Sequence, residues 1–142
     1  MRAYQIYAGL GAGNIGDEFM ARAFWESLPA EVSLDVPLAP EAAGQHEPYP
    51  PQHRYLRVDL DGGETAQGPV PGLLVGATPV TAYEGLDWPL RFLASRLLQF
   101  HRAKRPVDAV GVGVDHLDDA EAQRIFREAF APIRSWTVRS AH

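Results

Sequence analysis

A chain of 142 residues with 46% hydrophobic and 22% charged side chains has the size and composition of one globular domain, not of a disordered segment. A net charge of −5 argues against a nucleic-acid or anionic-membrane surface, which needs clustered Lys and Arg, and the lack of cysteine excludes disulfides and thiolate metal sites. No apolar run approaches the roughly 18 residues that cross a bilayer, and the N-terminus lacks a signal-peptide pattern, so the expectation is a cytoplasmic protein without a membrane span. Tyr4 to Ala8 reads as the first strand. A glycine-rich turn follows, Gly11-Ala12-Gly13-Asn14-Ile15-Gly16, and then a helix from Asp17 to Leu28 with Phe19, Met20, Ala23, Phe24 and Leu28 on one face, stopped by Pro29.

Glu31 to Val36 reads as the second strand. A long Pro-, Gly- and Ala-rich loop is expected over 37–53, with Tyr49 among its prolines. Tyr55 to Leu60 alternates as a third strand, closed by Asp61-Gly62-Gly63, and Gly72 to Gly76 is an apolar run suited to a strand covered on both faces. Asp87 is placed to cap a helix with Pro89 in its first turn, running to about Arg102 with Leu90, Leu93, Ala94, Leu97 and Leu98 inward; Lys104 and Arg105 lie where cations suit its C-terminus. Val107 to Val114 is a buried-type strand. Asp118 to Phe130 is a helix with Ala122, Ile125, Phe126, Ala129 and Phe130 in one stripe, and Trp136 to Val138 begins a last strand. Short apolar runs alternating with helices predict an α/β fold, a Rossmann-like, mostly parallel sheet flanked by helices in one domain, 1–142. Ligands of such sheets collect at the C-terminal ends of the strands. The first turn, Ala77-Thr78-Pro79, Asp115-His116 and Arg139 all fall at such ends.

Gly11-x-Gly13-x-x-Gly16 fits a dinucleotide fingerprint, with Asp35 near the end of the second strand as the residue that would hold a ribose hydroxyl. Asp17 and Glu18 oppose that reading, because they put negative charge at the helix end where a pyrophosphate would sit. Acidic capping of the helix also accounts for both residues. His46, His53, His101 and His142 show no metal-ligand spacing and read as surface residues, so no metal is expected. Thr78 and Thr81 are suited either to hydrogen-bonding a ligand or to capping a turn.

The string Gly11-Ala12-Gly13-Asn14-Ile15-Gly16-Asp17-Glu18 after a first strand resembles the N-terminal signature of the polysaccharide pyruvyl transferase family. Val110-Gly111-Val112-Gly113-Val114 is similar to that family's Gly-x-Gly strand, and Trp136-Thr137-Val138-Arg139-Ser140 to its later strand. The chain departs from the pattern at Gly76-Ala77-Thr78-Pro79-Val80-Thr81, at Asp115-His116 and at Ser140. The resemblance covers most of this chain but only the N-terminal portion of the family. It implies the N-terminal half of a two-domain, GT-B-like transferase of polysaccharide biosynthesis at the cell envelope. The reaction would move a pyruvyl group from phosphoenolpyruvate to sugar hydroxyls as a ketal. The partners would be a glycan acceptor, phosphoenolpyruvate as donor and a C-terminal domain, with no separate cofactor and no nucleic acid. Since the last strand is followed by only a few residues, the expectation is a truncated domain, inactive alone.

That chemistry needs an acid for the enol carbon, cations for phosphate and carboxylate, and a base or oriented group for the attacking hydroxyl. His116 and Asp17 are the candidate acid–base groups. Gly13, Asn14, Gly16, Asp17, Glu18 and Thr78 are the candidate substrate-binding set, with Arg139 as an anion clamp. A solvated loop histidine is the favoured alternative for His116, and a surface arginine or salt-bridge partner accounts for Arg139 equally well. A dinucleotide-binding oxidoreductase domain and a non-catalytic sugar-binding module are the alternatives.

Overall fold

The computed structural model describes residues 1–7, 15–38, 50–57, 70–76 and 79–138. Six strands form one sheet: β1 (Arg2–Tyr7), β2 (Ser33–Leu38), β3 (Arg54–Arg57), β4 (Gly72–Val75), β6 (Val107–Val112) and β8 (Ser135–Val138), in the order β3-β2-β1-β4-β6-β8. Every neighbouring pair is parallel. Two short strands, β5 (Val80–Thr81) and β7 (Val114–Asp115), pair in parallel as a separate sheet. The helices are α1 (Ile15–Ser27), α2 (Phe92–Arg102) and α3 (Ala120–Ile125). Counting the large sheet alone, the order is 3-2-1-4-5-6, that of a Rossmann-like sheet, with its switch point between β1 and β4.

Alternation along β1 builds a core on each face. Tyr4 and Ile6 join Leu74, Val107 and Ala109 beneath α2 and α3. Ala3 turns the other way, to Leu34, Val36 and the α1 residues Ala21 and Trp25. Gln5, on that second face, accepts the indole N–H of Trp25 at 2.9 Å inside the core. Gly72 lies on the first face where backbone and helix come close: a Cβ there would sit 2.8 Å from Phe100 Cε1 and 2.9 Å from Ile6 Cδ1.

The face of α1 differs from the expected one. Phe19 is 69% exposed and Ala23 is exposed, while Ala21 and Trp25 are buried with Phe24 and Leu28 partly so. At 100° per residue Phe19 points roughly 160° away from Ala21. Small Ala21 lets the helix approach the sheet, and the buried indole has a partner in Gln5.

Several boundaries also move. β2 takes in Pro37 and Leu38, so the connection expected over 37–53 starts later. Pro37 lies beyond the last β1–β2 partner pair, Tyr4↔Asp35, where its missing N–H leaves no β1 acceptor unmet. At the other end, residues 50–53 form an ordered turn in which Tyr55 Oη donates to the Pro50 carbonyl at 3.0 Å. Residues 39–49 and 58–60, with Tyr49, lie outside the described residues. Trp88 is extended (φ −130°, ψ 134°), so the helix does not run unbroken from Asp87. The residue before a proline is disfavoured in the helical region, and Pro89 follows it. Asp87 bonds Arg91 at 2.8 Å instead of capping. Arg105 donates to the Val70 carbonyl at 2.6 Å and stacks on Phe100, tying α2 to the start of β4. α3 starts at Ala120, two residues later than expected, with Asp119 as its cap, accepting from the Glu121 and Ala122 amides at 2.7 and 3.1 Å.

The expected strand Val107–Val114 is two strands. Gly111 has φ +63°, and the β6–β8 register shifts between Val110 and Val112. This bulge changes the parity, so Val112 points into the same core as Val107 and Ala109. The chain beyond it leaves β8 and pairs with β5, a strand that the sequence reading did not include.

Candidate functional site

The C-terminal edge of the sheet is where the parallel topology concentrates ligand-facing groups. α1 starts there, directly after β1. Gly16 is exposed and Glu18 half-buried in its first turn, with Asp17 between them in sequence. Gly76, at the end of β4 with φ +64°, lies against the same helix: a Cβ on it would be 3.6 Å from Met20 Cβ. The first turns of α1 therefore sit beside the switch point. Gly13, Asn14, Thr78 and Arg139, four of the expected substrate-binding residues, lie outside the described residues, as do His46 and His142.

His116 reaches the same edge from another element. It follows β7 with φ +47°, exposed, its ring 5.1 Å from that of Tyr83, which follows β5 and is 75% exposed. Thr81, buried in β5, accepts the Tyr83 amide on its Oγ1 at 3.1 Å, which fits the turn-capping role. The pairing of β5 with β7 is what brings His116 and Tyr83 together. An imidazole and a phenol side by side offer donors and acceptors suited to hydroxyl-bearing ligands. Sequence reasoning missed Tyr83 because the only signal was an isolated aromatic in a turn.

The opposite, N-terminal edge holds a polar group that the sequence reading placed elsewhere. Asp35 is fully buried in the middle of β2, not at a ligand-facing strand end. Its Oδ1 accepts from Arg2 Nε at 2.8 Å, Arg2 Nη2 at 2.6 Å and Arg54 Nε at 3.0 Å, and its Oδ2 from Arg54 Nη2 at 2.8 Å. The carboxylate is thus occupied by two guanidiniums and laces β1, β2 and β3, which removes it from the ribose role. Both arginines remain half-exposed, at 43% and 45% of their side chains.

Next to this group His53 is buried, contrary to the surface position expected of it. Its Nδ1 accepts the Leu34 amide of β2 at 3.2 Å, and its ring lies edge-on to Trp25 at 5.3 Å. Burial holds the imidazole pKa below its ordinary value. Neutral His53 with an accepting Nδ1 carries its proton on Nε2, and that buried N–H has no hydrogen-bond partner among the described residues. His101 is half-buried, with Nε2 2.8 Å from the Ala129 carbonyl.

Among the described residues no cluster of three or more His, Asp or Glu is placed to hold a metal ion, and no helix is long and apolar enough to cross a membrane. No protein-family model matches the chain, and no curated protein and no solved structure matches it. The strand order defines the class: an α/β domain with a Rossmann-like sheet.

Proposed function

We propose that the chain is the N-terminal, sugar-directed half of a polysaccharide pyruvyl transferase-like enzyme with a GT-B-like arrangement. The observation that carries this reading is the acid-bearing first turn of α1, Gly16-Asp17-Glu18, set beside the switch point of a parallel sheet and completing the string Gly11 to Glu18.

The net reaction joins phosphoenolpyruvate and two sugar hydroxyls into a ketal and releases phosphate. A proton adds to the enol methylene, one hydroxyl oxygen bonds to the adjacent carbon and loses its proton, the C–O bond to phosphate breaks, and the second hydroxyl closes the ring and loses its proton. Of the two protons released, one balances that on the methyl group and the other leaves with phosphate. Asp17 and His116 are assigned to these proton transfers. Gly13, Asn14, Gly16, Glu18 and Thr78 hold hydroxyls, and Arg139 clamps the donor anion. A C-terminal domain facing this edge completes the cleft, so the domain alone binds sugar with little or no turnover. The partners are a glycan acceptor, phosphoenolpyruvate and that second domain, in the cytoplasm.

The test is binding of an acidic or neutral oligosaccharide followed by NMR. Saturable shifts around Gly16 to Glu18 and His116, weakened about tenfold in Asp17→Asn and Asn14→Ala, are expected. Equal binding by wild type and both variants refutes the reading. The 3-2-1-4-5-6 strand order favours a dinucleotide site as the second reading, while the engagement of Asp35 by Arg2 and Arg54 opposes it. Saturable NAD or NADP binding lost on changing Gly13 would decide for that alternative.

A further inference from the structure

At the edge of the sheet opposite β5 and β7, Arg2, Ser33, Leu34, Pro51, Gln52, His53 and Arg54 line an open cleft of about 320 Å³. That volume lies in the range of small-molecule sites. Its charge is unbalanced, because two guanidiniums share the single carboxylate of Asp35. The triad is formally +1. Each arginine spends Nε and Nη2 on Asp35, and each remains nearly half exposed. Asp35 thus fixes two planar cations side by side without neutralising both.

The neutral part of the wall carries donors of its own. Ser33 contributes a hydroxyl and Gln52 an amide. His53 lines the cleft as well, and among the described residues its buried Nε2–H finds no partner, which is costly for a buried donor. Two guanidiniums held in place by Asp35, with neutral donors among the lining residues, match a tetrahedral oxyanion better than a cation or an uncharged ligand.

We propose that this cleft binds the phosphate group of a small phosphorylated metabolite, at a site separate from the α1 edge and independent of the function proposed for it. Arg2 and Arg54 pair with the phosphate oxygens through the edges not used on Asp35. Gln52 borders the exposed rim, and the remaining volume accepts the organic part of the ligand.

The experiment titrates inorganic phosphate into the full 142-residue chain at constant ionic strength, with citrate as a second arm, followed by NMR of the Leu34 amide and the His53 ring. Saturable phosphate binding with a Kd of about 1 mM or tighter is expected, with shifts at both residues. Gln52→Glu places a carboxylate on the exposed rim and should weaken binding about tenfold or more. Arg54→Lys keeps the charge but loses the planar fork and should weaken it as well. Urea midpoints confirm that each variant is folded, and Gln52→Glu, lying in a surface turn, keeps the test open if Arg54→Lys unfolds. Absence of saturation, citrate binding without phosphate binding, or phosphate binding that falls in His116→Ala but not in Gln52→Glu would each overturn the proposal.

Discussion

Trp25 donates its indole N–H to Gln5 Oε1 at 2.9 Å, joining α1 to the centre of β1 within the core. The bond explains why a polar residue occupies a buried sheet position: the bulky ring brings an obligatory donor, and Gln5 meets it. Trp25→Phe keeps most of the apolar surface and deletes the donor. It should cost about 1–3 kcal/mol, seen as a lower urea midpoint with an unchanged slope. A midpoint equal to that of wild type would contradict this account.

Gly72→Ala tests the close approach of β4 to α2. The new methyl would fall 2.8 Å from Phe100 Cε1 and 2.9 Å from Ile6 Cδ1, and both of these side chains are buried. Overpacking of this kind should cost about 1–3 kcal/mol. The companion Gly72→Ala, Ile6→Val double variant should recover part of the loss, which thermal unfolding of the pair would reveal.

His53 gives stability a pH dependence of known sign. Burial lowers its folded pKa, so below the ordinary value of 6.5 the unfolded chain takes up a proton that the folded chain refuses. The unfolded state then binds more protons, and stability falls as pH drops through and below 6.5. His53→Gln, which can still accept from the Leu34 amide, should flatten that slope. Denaturation midpoints across this window that run parallel in the two proteins would rule the mechanism out.

Glu121 acts in a lower window. Bonds from Arg124 at 2.6 Å and Arg91 at 3.3 Å hold its carboxyl down to about 2, Arg124 being the larger cause. A depressed carboxyl pKa stabilises the fold above the unfolded value and loses that contribution as pH falls toward about 2. Asp108, lowered chiefly by its bond from Arg134, adds in the same direction. Glu121→Gln should therefore lose less stability than wild type between about pH 5 and about pH 2, with the two curves converging in acid. The group is exposed, so salt should shrink the difference.

Much of the architecture was legible because apolar runs and turn residues are local signals. The six strands of the large sheet and three helical regions lie close to their expected places, and the mostly parallel sheet is the one expected. What was not legible depends on parity or on partners distant in sequence. Phe19 and Trp25 are both apolar, and only the sheet decides which is covered. Gly111 shifts β6 by one residue, which periodicity cannot foresee. Asp35 looks like a ribose ligand until β1 and β3 bring Arg2 and Arg54 to it. His53 reads as surface until its ring is packed against Trp25. At the candidate site, His116 at a strand end was legible, whereas Tyr83 beside it required the β5–β7 pairing.

The two faces of the sheet are unequally anchored. Among the described residues, the buried apolar cluster on the α1 face has six side chains, two of them from α1 itself, whereas the cluster on the α2 and α3 face has seventeen. Amide protons of α1 should therefore exchange with solvent through openings of lower free energy than those of β4, β6 and α2. Gly16, Asp17 and Glu18 ride on the layer that yields first. The sheet beneath can keep its register while that layer loosens and re-forms, leaving the acid-bearing turn free to adjust its position without unfolding the domain.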